Sequence, residues 1–130
     1  SYQMRSNETL TVTAPGVLDN DTDADGDALE VTTVNPAGLQ GTVTMFVPGN
    51  FTFTPTANFV GQTSFEYSIS DGRGGFATGT VIIDVVNTAP VANTDSYQMR
   101  ANETLTVTVP GVLGNDTDAD GDALEVTTVN

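Results

Sequence analysis

Apolar and polar residues alternate in short runs along most of the chain. Leu10 and Val12 alternate with threonines in ETLTVT, and Leu29, Val31 and Val34 lie in ALEVTTV. Val43 and Met45 follow in GTVTMFV, then Phe51 and Phe53 in NFTFTP. Phe65, Tyr67 and Ile69 alternate with Ser64, Glu66 and Ser68, and Val81, Ile83 and Val85 close the series in TVIIDVV. A period of two predicts strands with one buried and one solvated face. Pro48-Gly49-Asn50 and Asp71-Gly72-Arg73-Gly74-Gly75 separate neighbouring runs at hairpin spacing. No stretch of helical length carries the 3.6-residue period. The expected fold is all-β, an antiparallel sandwich of six to seven strands. Phe59 falls off the alternation and is expected to plug the space between the sheets.

The chain also repeats itself. Ser1–Asn35 and Ser96–Asn130 differ only at Ser6/Ala101, Ala14/Val109 and Asp19/Gly114. An offset of 95 residues is too long for a solenoid repeat and marks a tandem array of whole domains. Residues 1–95 then make one complete repeat with a linker at about 87–95, and residues 96–130 carry the first strands and acidic loop of the next. Residues 36–130 make an equally complete unit in permuted order. One copy of the duplicated segment must complete the sandwich. The other is disordered or finds the same surface elsewhere, by strand exchange of 96–130 with another molecule.

Charge narrows the function. Three Lys+Arg against seventeen Asp+Glu leave a net charge of −14, which disfavours nucleic acid and anionic membrane as partners. No apolar run approaches the roughly 20 residues that span a bilayer, so membrane insertion is not expected. Cysteine and histidine are both absent. That removes disulfides, thiolate metal sites and the usual neutral-pH base. No Ser, Thr or Asp has a base and nucleophile arranged around it, and an enzyme is not expected.

The acid is concentrated. Asp19, Asp21, Asp23, Asp25 and Asp27 occupy alternate positions of one loop, and the second copy keeps Asp116, Asp118, Asp120 and Asp122. At about 6 Å and an effective dielectric near 20, each close pair repels by roughly 3 kcal/mol before screening. A cation relieves that repulsion. Oxygen-only donors on a flexible loop select Ca²⁺ over Mg²⁺. Asp21-x-Asp23-x-Asp25-Gly26 matches the first half of an EF-hand loop, but Thr32 stands where the bidentate glutamate belongs and no helix flanks it. The plain alternative is a solvated Asp/Gly turn.

NDTDADGDAL, GTVTMFVPGNFTFTPTANFVGQTSFEYSISDGRGG and VIIDVVNTAPVANTDSY together resemble the cadherin-like, tandem-95 repeats of large bacterial surface proteins. The resemblance covers the whole chain. It implies an Ig-like or cadherin-like sandwich, at the cell surface or secreted, strung end to end with neighbouring repeats in adhesins and biofilm proteins. Comparison with classical cadherins implies further calcium ligands. Glu8 and Glu103 in NET resemble the glutamate near the start of a domain. Asp84 and Asn87 before Ala89-Pro90 resemble the linker motif, Asp23 with Asp25 and Asp118 with Asp120 the Asp-x-Asp, and Asp71 in SDG the strand-end aspartate. Val86 and Thr88 replace the linker asparagines, so one or two ions per junction are expected rather than three. The implied function is a calcium-binding structural repeat of an adhesin stalk. The alternatives are a calcium-assisted polysaccharide-binding module or a homotypic adhesion domain. An aromatic platform would favour the polysaccharide, and the sequence has no Trp and 7% aromatics.

Overall fold

A computed structural model describes residues 1–130. The chain divides into two compact units, Ser1–Asn87 and Thr88–Asn130.

The first unit is a seven-stranded β-sandwich. The strands are β1 (Tyr2–Arg5), β2 (Leu10–Val12), β3 (Glu30–Asn35), β4 (Gly41–Met45), β5 (Phe51–Pro55), β6 (Gly61–Ser70) and β7 (Phe76–Val86). One sheet has the order β1-β7-β6-β3 and the other β2-β5-β4. The alternation read from the sequence is the alternation that packs. Phe51 and Phe53 on β5, Phe65, Tyr67 and Ile69 on β6, and Val81, Ile83 and Val85 on β7 are all buried. Two edge-to-face contacts join the sheets. Tyr2 meets Phe51, and Phe51 meets Phe65, each with ring centroids 5.4 Å apart. Phe59 packs half-buried against this core, as expected of a plug.

The first strand, β1, departs from the antiparallel expectation. β1 pairs parallel with β7, with Tyr2 opposite Ile83 and Arg5 opposite Val86. The turn between β1 and β2 is the reason. Asn7 takes φ 59° there and accepts the Asn58 N–H at 2.9 Å, so the chain crosses to the other sheet instead of folding back as a hairpin. Ser6, 1% exposed, anchors the crossing. Its N–H donates to the Val86 carbonyl (2.9 Å) and its hydroxyl to the Phe59 carbonyl (3.1 Å).

Two glycines are required by close approach. Gly16, at φ +65°, lets the 3₁₀ turn Gly16–Leu18 lie on the β4–β5 loop; a Cβ there would sit 1.9 Å from the Gly49 carbonyl oxygen. Gly79 on β7 lies beside the Tyr67 ring, where a Cβ would come within 2.4 Å of Cζ.

The strands give the sandwich two poles. At one end of the long hairpin Ser70 pairs with Phe76, and at the other Gly61 pairs with Val85. The two ends of the ten-residue β6 lie roughly 30 Å apart at 3.3 Å per residue. Glu30 opposite Ser70 brings the Asp19–Asp27 loop to the hairpin pole. Arg5 opposite Val86 brings the Ser6–Thr9 turn to the other.

The second unit has the local turns of the first copy without its strands. Gly111–Leu113 forms the same 3₁₀ turn as Gly16–Leu18. A single antiparallel bridge, Val91 with Thr117, is its only ladder contact.

Candidate metal centre

Asp23 organises the first loop. Its Oδ1 accepts the N–H groups of Asp25 (2.9 Å) and Asp27 (3.0 Å), and Gly26 turns the chain between them at φ +78°. The turn gathers the side chains of Asp23, Asp25 and Asp27, whose carboxylate oxygens come within 4.8 Å of one another. Asp27 also accepts an ion pair from Arg73 Nε at 2.8 Å. Arg73 lies on the β6–β7 hairpin, so the basic group missing from the loop's own sequence arrives from a distant segment.

Asp71 stands across a cleft of about 180 Å³ that Asp23, Thr22, Leu29, Ile69 and Phe76 also line. Its Oδ1 accepts the N–H groups of Arg73 (2.7 Å) and Gly75 (2.9 Å). Those bonds favour the charged form and hold its carboxyl below the ordinary value. The strand-end aspartate and the Asp-x-Asp of the resemblance therefore share one pole.

Asp21 goes elsewhere. The Tyr67 hydroxyl lies 3.0 Å from Asp21 Oδ2 and 3.1 Å from the Val17 carbonyl, and shares its proton between them. Burial first, and the neighbouring Asp21 second, push the Tyr67 phenol up to about 12. Asp21 is thus the loop's tether to the core, outside the Asp23, Asp25, Asp27 cluster. Asp19 does not join the cluster either. Its charge adds to burial in raising the Tyr2 phenol.

Glu8, Asp84 and Asn87 belong to the opposite pole. Glu8 is exposed on the β1–β2 turn. Asp84, on the outer face of β7, accepts the Gln62 amide at 3.0 Å. Asn87 follows the end of β7. Within one repeat these three do not meet the aspartate loop.

The second unit builds the same loop independently. Asp118 Oδ1 accepts the N–H groups of Asp120 (2.9 Å) and Asp122 (3.1 Å), and the carboxylate oxygens of Asp118, Asp120 and Asp122 again lie within 4.8 Å. Its surroundings differ. The Thr88 N–H donates to Asp120 Oδ2, and Asp120 is only 7% exposed, whereas Asp25 is exposed. Asp116, the counterpart of Asp21, accepts the Asn93 N–H at 2.7 Å. Segment Thr88–Thr94 therefore covers this loop, a contact that no local signal in the sequence announced. Glu103 is exposed and outside the cluster.

Two three-carboxylate turns with all-oxygen donors and no second cation beyond Arg73 suit a hard divalent ion. No helix is long and apolar enough to cross a membrane. No curated protein and no solved structure matches the chain. A family model described as a bacterial Ig domain matches residues 87–130, and one described as a cadherin-like domain matches residues 1–85. With that match covering most of the chain and a two-sheet sandwich beneath it, the chain belongs to the cadherin-like domain family, as a bacterial cadherin-like repeat.

Proposed function

We propose that the chain is a calcium-binding structural repeat of an extracellular bacterial adhesin, a stalk element that supports cell adhesion. The observation that carries this reading is the duplicated turn, in which Asp23 and Asp118 each draw two further carboxylates to within 4.8 Å. Like charges held that close favour a bound cation. Calcium would be held by Asp23, Asp25 and Asp27 with Asp71 beside them, and by Asp118, Asp120 and Asp122 in the next loop. Glu8, Asp84 and Asn87, at the far pole, would meet the aspartate loop of a neighbouring repeat stacked end to end. In that role the ion stiffens loops and junctions and performs no chemistry.

Calorimetric titration with Ca²⁺ and Mg²⁺, with melting followed in each state, tests the reading. Extracellular calcium modules bind at about 10⁻⁴–10⁻³ M. At tenfold excess over Kd the gain is about 1.4 kcal/mol per site. That raises Tm by roughly 6–11 °C for a domain of this size. A Tm indifferent to EDTA overturns it.

A second reading, a calcium-assisted polysaccharide site, draws on one observation. Phe76 is 74% exposed and lines the cleft beside Asp23 and Asp71, an apolar ring next to a cation site. Calcium-dependent glycan-array binding that Phe76→Ala abolishes would move this reading ahead of the stalk.

A further inference from the structure

The outward positions of the three-stranded sheet are threonines. Thr11 on β2 lies opposite Thr52 on β5, and Thr52 lies opposite Thr44 on β4. The next rank is Thr9, Thr54 and Thr42. Thr54 lies opposite Thr42, and its hydroxyl is 3.1 Å from that of Thr9, one residue before β2. Thr52, at the centre, is half-buried and the other five are exposed. The alternate residues Leu10, Val43, Phe51 and Phe53 pack in the core. Two ranks of three hydroxyls therefore stand on one face of the sandwich.

That face carries no charge. β2, β4 and β5 contain no Asp, Glu, Lys or Arg, whereas the strands of the other sheet carry Arg5, Glu30, Glu66 and Asp84. An anionic polymer is repelled by the chain's net charge of −14, and a cationic one finds no carboxylate on these three strands. The two ranks hold no aromatic ring on which a sugar could stack. The occupant that fits is neutral, rich in hydrogen-bonding oxygen and regular in two dimensions.

The spacing identifies it. Paired strands lie about 4.8 Å apart, and alternate residues along a strand about 6.7 Å apart. Water oxygens in ice are tetrahedral and hydrogen-bonded at about 2.75 Å, so they repeat at about 4.5 Å along one axis and about 7.3 Å along the axis perpendicular to it. Across three strands and two ranks the mismatch stays below about 1 Å in either direction. Each threonine offers a hydroxyl that donates and accepts, beside a methyl, on a branched Cβ that restricts χ1.

We propose that this face binds the surface of ice, with the hydroxyls and methyls of the six threonines taking places in its outer water layer. Strand twist of about 20–25° confines the match to the middle of the sheet, so one repeat holds ice weakly. None of the six threonines belongs to an aspartate cluster, so ice binding and calcium binding are separable.

The test freezes the full chain, in calcium buffer, slowly onto a cold probe and measures how much enters the ice and how much stays in the liquid. The chain should enter the ice while serum albumin frozen alongside it is excluded. Thr44→Tyr and Thr11→Tyr keep a good strand former at each position and set a ring above the rank. Each should melt with the parent chain and lower the partition into ice about fivefold or more, the equivalent of one lost hydrogen bond. Thr80→Tyr makes the same change at an exposed position of β7, opposite Glu66 on the other sheet, and should leave the partition unchanged. Exclusion of the parent chain from ice overturns the proposal. So does a partition that Thr44→Tyr and Thr11→Tyr leave at the parental value, or one that Thr80→Tyr lowers equally. Binding to cellulose or chitin that Thr44→Tyr abolishes, without entry into ice, overturns it as well and gives the face to a neutral polysaccharide.

Discussion

The Tyr67 hydroxyl and the Asp21 carboxylate, 46 residues apart in sequence, lie 3.0 Å from each other and tie the acidic loop to the core of the sandwich. The tie fixes where the loop begins. Asp21 and Val17 are held on the core side, and the chain beyond them turns outward to gather Asp23, Asp25 and Asp27.

Tyr67→Phe should therefore destabilise the first unit by about 2 kcal/mol, the range for a hydrogen bond to a charged group. Alkali should act in the same direction. The Tyr67 phenol is raised from 10.0 to about 12, so its contribution is complete below pH 10 and is lost as pH rises through 12. Urea unfolding at pH values on either side of 10 checks both points. The wild-type advantage over Tyr67→Phe should shrink in alkali; an advantage that grows there contradicts the assignment.

Asp71 works in the opposite sense. Its pKa is lowered from 3.8 by the Arg73 and Gly75 N–H groups, so its contribution is present above that value and disappears as pH falls through the depressed one. Asp71→Ala should lower Tm near neutrality, with the difference vanishing in strong acid. A melting difference that persists below the depressed pKa would show that packing of the hairpin, not ionisation, is responsible.

Much of this was legible in the sequence, and what was not follows a physical rule. Six strands show their alternation, because each buries one face against its neighbours. β1 does not, because Tyr2–Arg5 offers only two apolar positions and gains its place by parallel pairing with β7, about 80 residues away. The aspartate turn was legible because Asp23-x-Asp25-Gly26-Asp27 is local chemistry, and both copies adopt it whatever surrounds them. The roles of Asp21 and Asp27 were not, since Tyr67 and Arg73 come from other strands and loops. The remoteness of Glu8 and Asp84 from the loop needed the strand directions.

Arg73 competes with any cation for Asp27. Its guanidinium is mostly exposed, and such pairs contribute up to about 1 kcal/mol. Arg73→Gln should tighten calcium binding at the first loop by about two- to fivefold. Titration of the variant against wild type checks this. Weaker binding in Arg73→Gln would mean that Arg73 instead holds the loop in its binding shape.

The two loops should differ in how much they depend on their middle aspartate. Asp25 and Asp120 hold equivalent positions in turns of the same geometry, but Asp25 is exposed while Asp120 is buried beneath Thr88 and accepts its N–H. A carboxylate screened from water attracts a cation more strongly, because the effective dielectric around it is lower. It also leaves more behind when removed, since the Thr88 N–H loses its acceptor. Asp120→Ala should therefore cost calcium affinity at its loop tenfold or more, and Asp25→Ala about threefold at the other. Asp19→Ala should cost least, because its counterpart is Gly114 and the second turn forms without it. Calorimetry on the three variants ranks them directly, and an Asp25→Ala loss equal to or larger than that of Asp120→Ala would refute the link between burial and affinity.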